Sequence, residues 1–94
     1  MKDIGHYRVV SKLGDGGYAT VWSAIDQRNG EEVAVKLLRP ELIRQKPKSG
    51  PSPVQRFLAE AELLQRLDHP GMIKVIDYIN RPEDGVVAFA MERL

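Results

Sequence analysis

Three features of the sequence combine residue types and spacing suited to holding phosphate. The first is Gly14-Asp15-Gly16-Gly17-Tyr18-Ala19, a Gly-x-Gly-x-x-Gly/Ala run. Glycines here let backbone N–H groups approach phosphate oxygens without a side chain in the way, and permit φ values that other residues resist. Gly14 and Gly16 are the leading candidates. A plain hairpin turn between two strands is the alternative reading of the same run. Tyr18 sits near the loop tip, either as a flap over a ligand or packed under the hairpin. The second feature is Lys36, which follows Val33-Ala34-Val35. Strand alternation puts it on the face of Ala34, pointing into whatever cleft that small residue helps to open. Without a partner it would read as an edge-protecting charge.

The third feature is a carboxylate able to hold that lysine. At ~100° per residue, Val54, Phe57, Ala61, Leu64 and Leu67 form one apolar helical stripe, and Glu60 falls inside it between Leu64 and Leu67. A carboxylate in an apolar stripe is costly without a cation, and Lys36 is the natural one. A stripe-edge glutamate in solvent is the alternative. Glu62 points outward, where it can pair with Arg66 one turn on.

These side chains need a scaffold, and the chain supplies strand and turn signals in a clear order. Tyr7 to Leu13 alternates, with Tyr7, Val9, Ser11 and Leu13 on one face and Arg8, Val10 and Lys12 on the other. After the glycines, Ala19 to Ile25 resumes a β-branched and aromatic pattern. Asn29-Gly30 is a hairpin signal leading into a third strand, Glu32 to Leu38. The proline-rich stretch from Arg39 to Pro51 reads as a connector with one helical turn near Glu41 to Arg44. Ser52-Pro53-Val54-Gln55 is a capping box, and the helix it starts runs to about Leu67, where Asp68-His69-Pro70-Gly71 stops it. Met72 to Tyr78 is a fourth strand, and Val86 to Met91, apolar on both faces, is a fifth inside the sheet. The predicted fold is α+β: a five-stranded antiparallel sheet carrying one long helix, in a single domain over residues 1–94.

Spacing also disfavours two other phosphate-binding folds. A Rossmann dinucleotide site needs a helix directly after the glycines, whereas Thr20-Val21-Trp22 is strand-forming. A Walker loop needs Gly-Lys-Ser or Gly-Lys-Thr, and neither occurs. The composition is globular: 43% hydrophobic and 29% charged, with 14 Lys plus Arg against 13 Asp plus Glu. A net charge of +1 argues against a nucleic-acid partner. No cysteine is present, so neither a disulfide framework nor a thiolate metal site is available, and His6 and His69 alone make no zinc site. No apolar run approaches the ~20 residues that cross a bilayer, and the first residues lack the apolar core of a signal peptide, so a cytoplasmic location is expected.

Leu13 to Val21 together with Val33-Ala34-Val35-Lys36 resembles the N-terminal lobe of eukaryotic-type protein kinases. The order strand, glycine loop, strand, lysine strand, helix, two strands extends the resemblance over nearly the whole chain. Phe57-Leu58-Ala59-Glu60-Ala61 with Leu67-Asp68-His69-Pro70 is similar to bacterial serine/threonine kinases in particular. Ala19 stands where the family usually has its third glycine.

The resemblance implies ATP as ligand, with the run Leu13, Gly14, Asp15, Gly16, Gly17, Tyr18, Ala19, Thr20 and Val21 as the loop around it. Lys36 would hold the α- and β-phosphates and Glu60 would anchor it. Val21 and Ala34 would roof the adenine beside Leu13, Met91 would close the back, and Glu92 and Leu94 would meet the adenine edge through their backbones. The catalytic aspartate and the Mg²⁺ ligands belong to a C-lobe expected after Leu94, so no metal ligand is assigned here and the chain alone is expected to be inactive. The protein substrate would also dock on that C-lobe. Stopping at the hinge should expose an apolar patch of Met91, Leu94 and the inner helix face. A homodimer is therefore expected, through the N-lobe or through that surface. Without the C-lobe to hold the helix, Lys36 and Glu60 are free to lie apart. A pseudokinase or an N-lobe interaction module is the alternative reading, and a dinucleotide-binding module a more distant one.

Overall fold

A computed structural model describes residues 3–66 and 74–93. Five strands form one antiparallel sheet: β1 (Tyr7–Asp15), β2 (Ala19–Asp26), β3 (Glu32–Leu38), β4 (Val75–Arg81) and β5 (Val86–Glu92). Their order is β1-β2-β3-β5-β4, which puts the most apolar strand, β5, inside the sheet. A four-residue helix, α1 (Pro40–Ile43), and a fourteen-residue helix, α2 (Pro53–Arg66), follow β3. The capping box forms at the start of α2. Ser52 Oγ accepts from Gln55 N–H at 3.1 Å, and Gln55 Oε1 accepts from Ser52 N–H at 2.9 Å. The outward pair also forms, with Arg66 Nη2 2.9 Å from Glu62 Oε1.

The β2–β3 turn uses Gly30 at φ 75°, a conformation that side-chain-bearing residues resist, and Asp26 O accepts from Gly30 N–H at 2.7 Å. The fourth strand runs past its expected end at Tyr78, since β4 continues to Arg81, and Pro82–Asp84 forms a 3₁₀ turn before β5. The helix stop at 68–71, Leu67 of the stripe, and the expected strand start at Met72 lie outside the described residues.

The two faces of the sheet bury different things. One face packs Ala19, Leu38, Val87, Phe89 and Met91 against Phe57 and Ala61 of α2. The Phe57 and Phe89 rings meet at 5.0 Å, and Tyr78 donates from its hydroxyl to Gln65 Oε1 at 2.6 Å, so helix and sheet are tied by both apolar and polar contacts. Among the described residues no helix covers the other face. Ile4, Tyr7, Ala24, Val33, Val35, Ile79, Ala88 and Ala90 cluster there. β1 and β4 are opposite edges of the sheet, yet the Tyr7 hydroxyl donates to Asp77 Oδ2 at 2.9 Å. The sheet therefore curls until its edges meet across this face, burying apolar side chains without a second layer.

The curl requires departures from regular pairing, and these correct the expected β1 alternation. Register shifts lie between Val9 and Ser11 and between Lys12 and Gly14. Each extra residue flips the alternation. Val9 pairs with Ala24 and Lys12 with Trp22 on the curled face, while Ser11 pairs with Ser23 on the helix-bearing face. Leu13, expected beside Tyr7 and Val9, instead lines a cleft with Val21 and Ala34 on the helix-bearing side.

Candidate functional site

The cleft lies where β3, β5 and α2 converge beneath the β1–β2 hairpin. It has a volume of about 410 Å³ and is lined by Leu13, Val21, Ala34, Lys36, Glu60, Leu64, Phe89, Met91, Glu92 and Arg93. Register explains most of the lining. Val21 pairs with Lys36, Ala34 with Met91, and Lys36 with Phe89, so these side chains share one face across three strands. Its walls are apolar, and its single lysine sits opposite a glutamate from the helix.

Lys36 and Glu60 meet inside the cleft, with Nζ 2.6 Å from Oε1. Whether the pair forms in this chain was open, and here it does: Phe57 and Ala61, buried on either side of Glu60 in sequence, seat the helix against β5 and bring the carboxylate within reach. The Lys36 and Glu60 side chains are 20% and 35% exposed, so the pair is half-sheltered from water. Tyr18 completes it. Its hydroxyl donates to Glu60 Oε2 at 2.5 Å and accepts from Lys36 Nζ at 3.1 Å. Burial alone lowers the pKa of the Lys36 ammonium, but the hydrogen bonds to Glu60 and Tyr18 outweigh it and leave it above the ordinary lysine value. Burial raises that of Glu60, and the hydrogen bonds from Lys36 and Tyr18 carry it below the ordinary glutamate value. Both groups are thus held in their charged forms.

The glycine loop is a short turn at Gly16, Gly17 and Tyr18, because β1 continues to Asp15. None of Gly14, Gly16 and Gly17 has a positive φ, so the loop does not use the backbone freedom that glycine permits. What these glycines provide is space: a Cβ on Gly14 or Gly17 would meet nothing within 4 Å, leaving room for a ligand to approach the backbone. Asp15 and Thr20 do not face the cleft. Thr20 Oγ1 donates to Asp15 Oδ1 at 3.1 Å, and that contact, with Arg39 and Lys12 nearby, holds the Asp15 carboxyl below its ordinary pKa. Ala19, at the third-glycine position, is a buried core residue packed with Leu38 and Phe57.

Several expected residues behave differently at the far end. Met91 is 8% exposed, so the apolar patch that was to include it does not form around it; Phe57 and Ala61 of the inner helix face are buried too. Glu92 lines the cleft and donates its N–H to Lys74 O at 2.9 Å. Leu94 lies outside the described residues. Sequence reasoning missed Phe89, Leu64 and Arg93 as lining residues. Phe89 was recoverable, standing two residues before Met91 on one strand face, whereas Arg93 is placed by tertiary contacts to Ser23 Oγ at 2.6 Å and Glu32 Oε1 at 2.7 Å.

A second hollow of about 480 Å³ lies beside α1 and the start of α2; it shares Glu60 with the first and is lined also by Tyr18 and Leu38, but not by Lys36. The smaller cleft is therefore the one that holds the Lys36–Glu60 pair. Among the described residues no three His, Asp or Glu side chains converge as a metal site. No helix among them is long and apolar enough to cross a membrane.

Comparison with known proteins places this geometry. The protein kinase domain matches residues 7–94. The chain is 41% identical over 90 residues to a DNA damage-responsive serine/threonine-protein kinase, RqkA, of Deinococcus radiodurans, covering 96% of this chain and 12% of that protein. It is 42% identical over 74 residues to serine/threonine-protein kinase PknA of Mycobacterium tuberculosis H37Rv, covering 79% and 16%. The fission yeast serine/threonine-protein kinase srk1 is 32% identical over 90 residues, covering 87% and 15%. The chain thus spans less than a fifth of the length of these relatives. Its five-stranded antiparallel sheet with one long helix agrees with that match, and the chain belongs to the protein kinase domain family.

Proposed function

We propose that this chain is the ATP-binding lobe of a serine/threonine protein kinase whose C-terminal lobe supplies the catalytic base and the Mg²⁺ ligands. The observation that carries the reading is the Lys36–Glu60 pair, 2.6 Å apart at the back of an apolar cleft under a glycine loop. The lysine stem has four rotatable carbons, and a fixed carboxylate is what aims its ammonium at one point. Val21, Ala34 and Leu13 suit the flat apolar face of adenine, with Met91 behind it. Glu92 and Leu94 are assigned to the adenine edge, Gly14 to Thr20 to the phosphate side. In the whole enzyme a protein hydroxyl oxygen would bond to the γ-phosphorus as the bond to ADP breaks, and the hydroxyl proton would pass to the base on the other lobe. This lobe contributes the clamp alone, so by itself it binds ATP weakly and transfers nothing.

The test is a double-mutant cycle in the full-length protein with Lys36→Met, Glu60→Gln and both, read in single-turnover phosphoryl transfer. Each single change is expected to lower transfer on the order of 10²-fold or more, and the double change hardly further. Strictly additive losses would remove Glu60 as the anchor. Transfer by the isolated lobe, or sub-micromolar ATP affinity for it, would overturn the division of labour between the two lobes.

A further inference from the structure

We propose that Arg39, three residues beyond Lys36 on the way out of β3, is the positioning residue of the glycine loop. The inference rests on the nucleotide-binding reading above, but its geometry is separate from the Lys36–Glu60 pair. The Arg39 guanidinium donates to Gly16 O through Nε at 3.1 Å and Nη2 at 2.9 Å, and Nη2 also bonds to Asp15 Oδ1. The Arg39 backbone N–H donates to Tyr18 O at 2.9 Å. One residue therefore holds both limbs of the loop, before and after Gly17.

The consequence for the loop follows from the peptide bond. The Gly16 carbonyl and the Gly17 N–H belong to one planar trans peptide and point in opposite directions. Holding the carbonyl against Arg39 turns the Gly17 N–H away from it. Asp15, gripped by the same guanidinium, pairs with Thr20, which lies on the sheet face opposite Lys36 because Val21, the next residue, pairs with Lys36. Arg39 thus grips the loop from the far side, and the Gly17 N–H is aimed toward the side that carries Lys36. Among the described residues the N–H groups of Gly17 and Tyr18 have no acceptor, so they are available to phosphate oxygens. β3 then sets both halves of the phosphate site: its lysine directly, and the loop donors through Arg39.

The full-length protein and its Arg39→Gln and Arg39→Lys variants test this by calorimetric titration with ATP and with adenosine, and by amide hydrogen exchange across residues 14–19 without nucleotide. Arg39→Gln should weaken ATP about tenfold, the size of one charge-assisted hydrogen bond, while adenosine changes less than about twofold. Exchange in the loop should speed up. Arg39→Lys should restore only part of the loss, since an ammonium lacks the planar fork that grips two acceptors. Equal weakening of ATP and adenosine, or unchanged loop exchange, would overturn the assignment. If the wild type binds ATP and Arg39→Gln binds it equally well, Arg39 alone is misassigned. If the wild type binds neither ligand, the nucleotide-binding reading fails as well.

Discussion

Two tyrosines in this molecule have their hydroxyls wired to charged groups, and the contrast separates what holds the fold from what is arranged for a ligand. Tyr7 is fully buried. Its hydroxyl donates to Asp77 on β4 and accepts from Arg28 Nη2 at 3.4 Å. Arg28 in turn grips the buried Asp26 through Nε at 3.1 Å and Nη2 at 2.9 Å, so three segments distant in sequence close on one ring. Tyr18, by comparison, is 43% exposed on a loop, and its hydroxyl binds a lysine and a glutamate that already satisfy each other. Removing the first hydroxyl leaves a carboxylate short of a donor at a closed seam. Removing the second leaves an intact ion pair facing an open cleft.

The sharpest division should come from Lys36→Met and Tyr7→Phe measured side by side. Lys36→Met should cost transfer on the order of 10²-fold or more, yet less than about 1 kcal/mol of stability, since Glu60, whose side chain is 35% exposed, can rehydrate. Tyr7→Phe should show the reverse: about 1–2 kcal/mol lost in denaturant unfolding, with ATP affinity unchanged. If Tyr7→Phe weakens ATP as much as it weakens the fold, the two regions are one unit and the contrast collapses.

Titration sharpens the comparison next. The folded Glu60 carboxyl lies below its ordinary value of 4.5, so its contribution to stability is complete above pH 4.5 and is lost as pH falls through the lower folded value. The Lys36 ammonium lies above 10.5, so its contribution is complete below pH 10.5 and is lost as pH rises through the higher folded value. Burial first, then the Asp77 carboxylate, pushes the Tyr7 phenol far above its ordinary value of 10.0. Above that pH the unfolded phenol ionises while the folded one cannot, and stability falls. Unfolding followed against pH should therefore show Glu60→Gln flattening the acid limb and Tyr7→Phe flattening the alkaline limb. An alkaline limb unaltered by Tyr7→Phe would remove Tyr7 as its source.

The smallest effect is expected from Tyr18→Phe. Stability should change by no more than about 0.5 kcal/mol, because the site is exposed. ATP should bind up to about fivefold more tightly, since its phosphates no longer compete with the phenol for Lys36. Weaker ATP binding would mean that the hydroxyl assists the ligand.

The sequence by itself determined the elements and their chemistry. A β-branched and aromatic run marked β2, the Asn29-Gly30 turn marked β3, an apolar run marked β5, Ser52 and Gln55 marked the start of α2, and an apolar stripe interrupted by Glu60 pointed across the fold to Lys36. These signals are local, resting on spacing along one element or on the cost of an unpaired charge. Tertiary structure decided the rest. The bulges in β1 that carry Leu13 into the cleft answer to sheet curl, which no single strand encodes. Arg39 looked like the first residue of a linker, and its grip on Gly16 depends on how β3 ends beside a hairpin more than twenty residues earlier. Tyr7 and Asp77 become partners only because opposite edges of one sheet are brought together. A pattern can show that a side chain needs a partner; which partner it meets depends on how the elements close on each other.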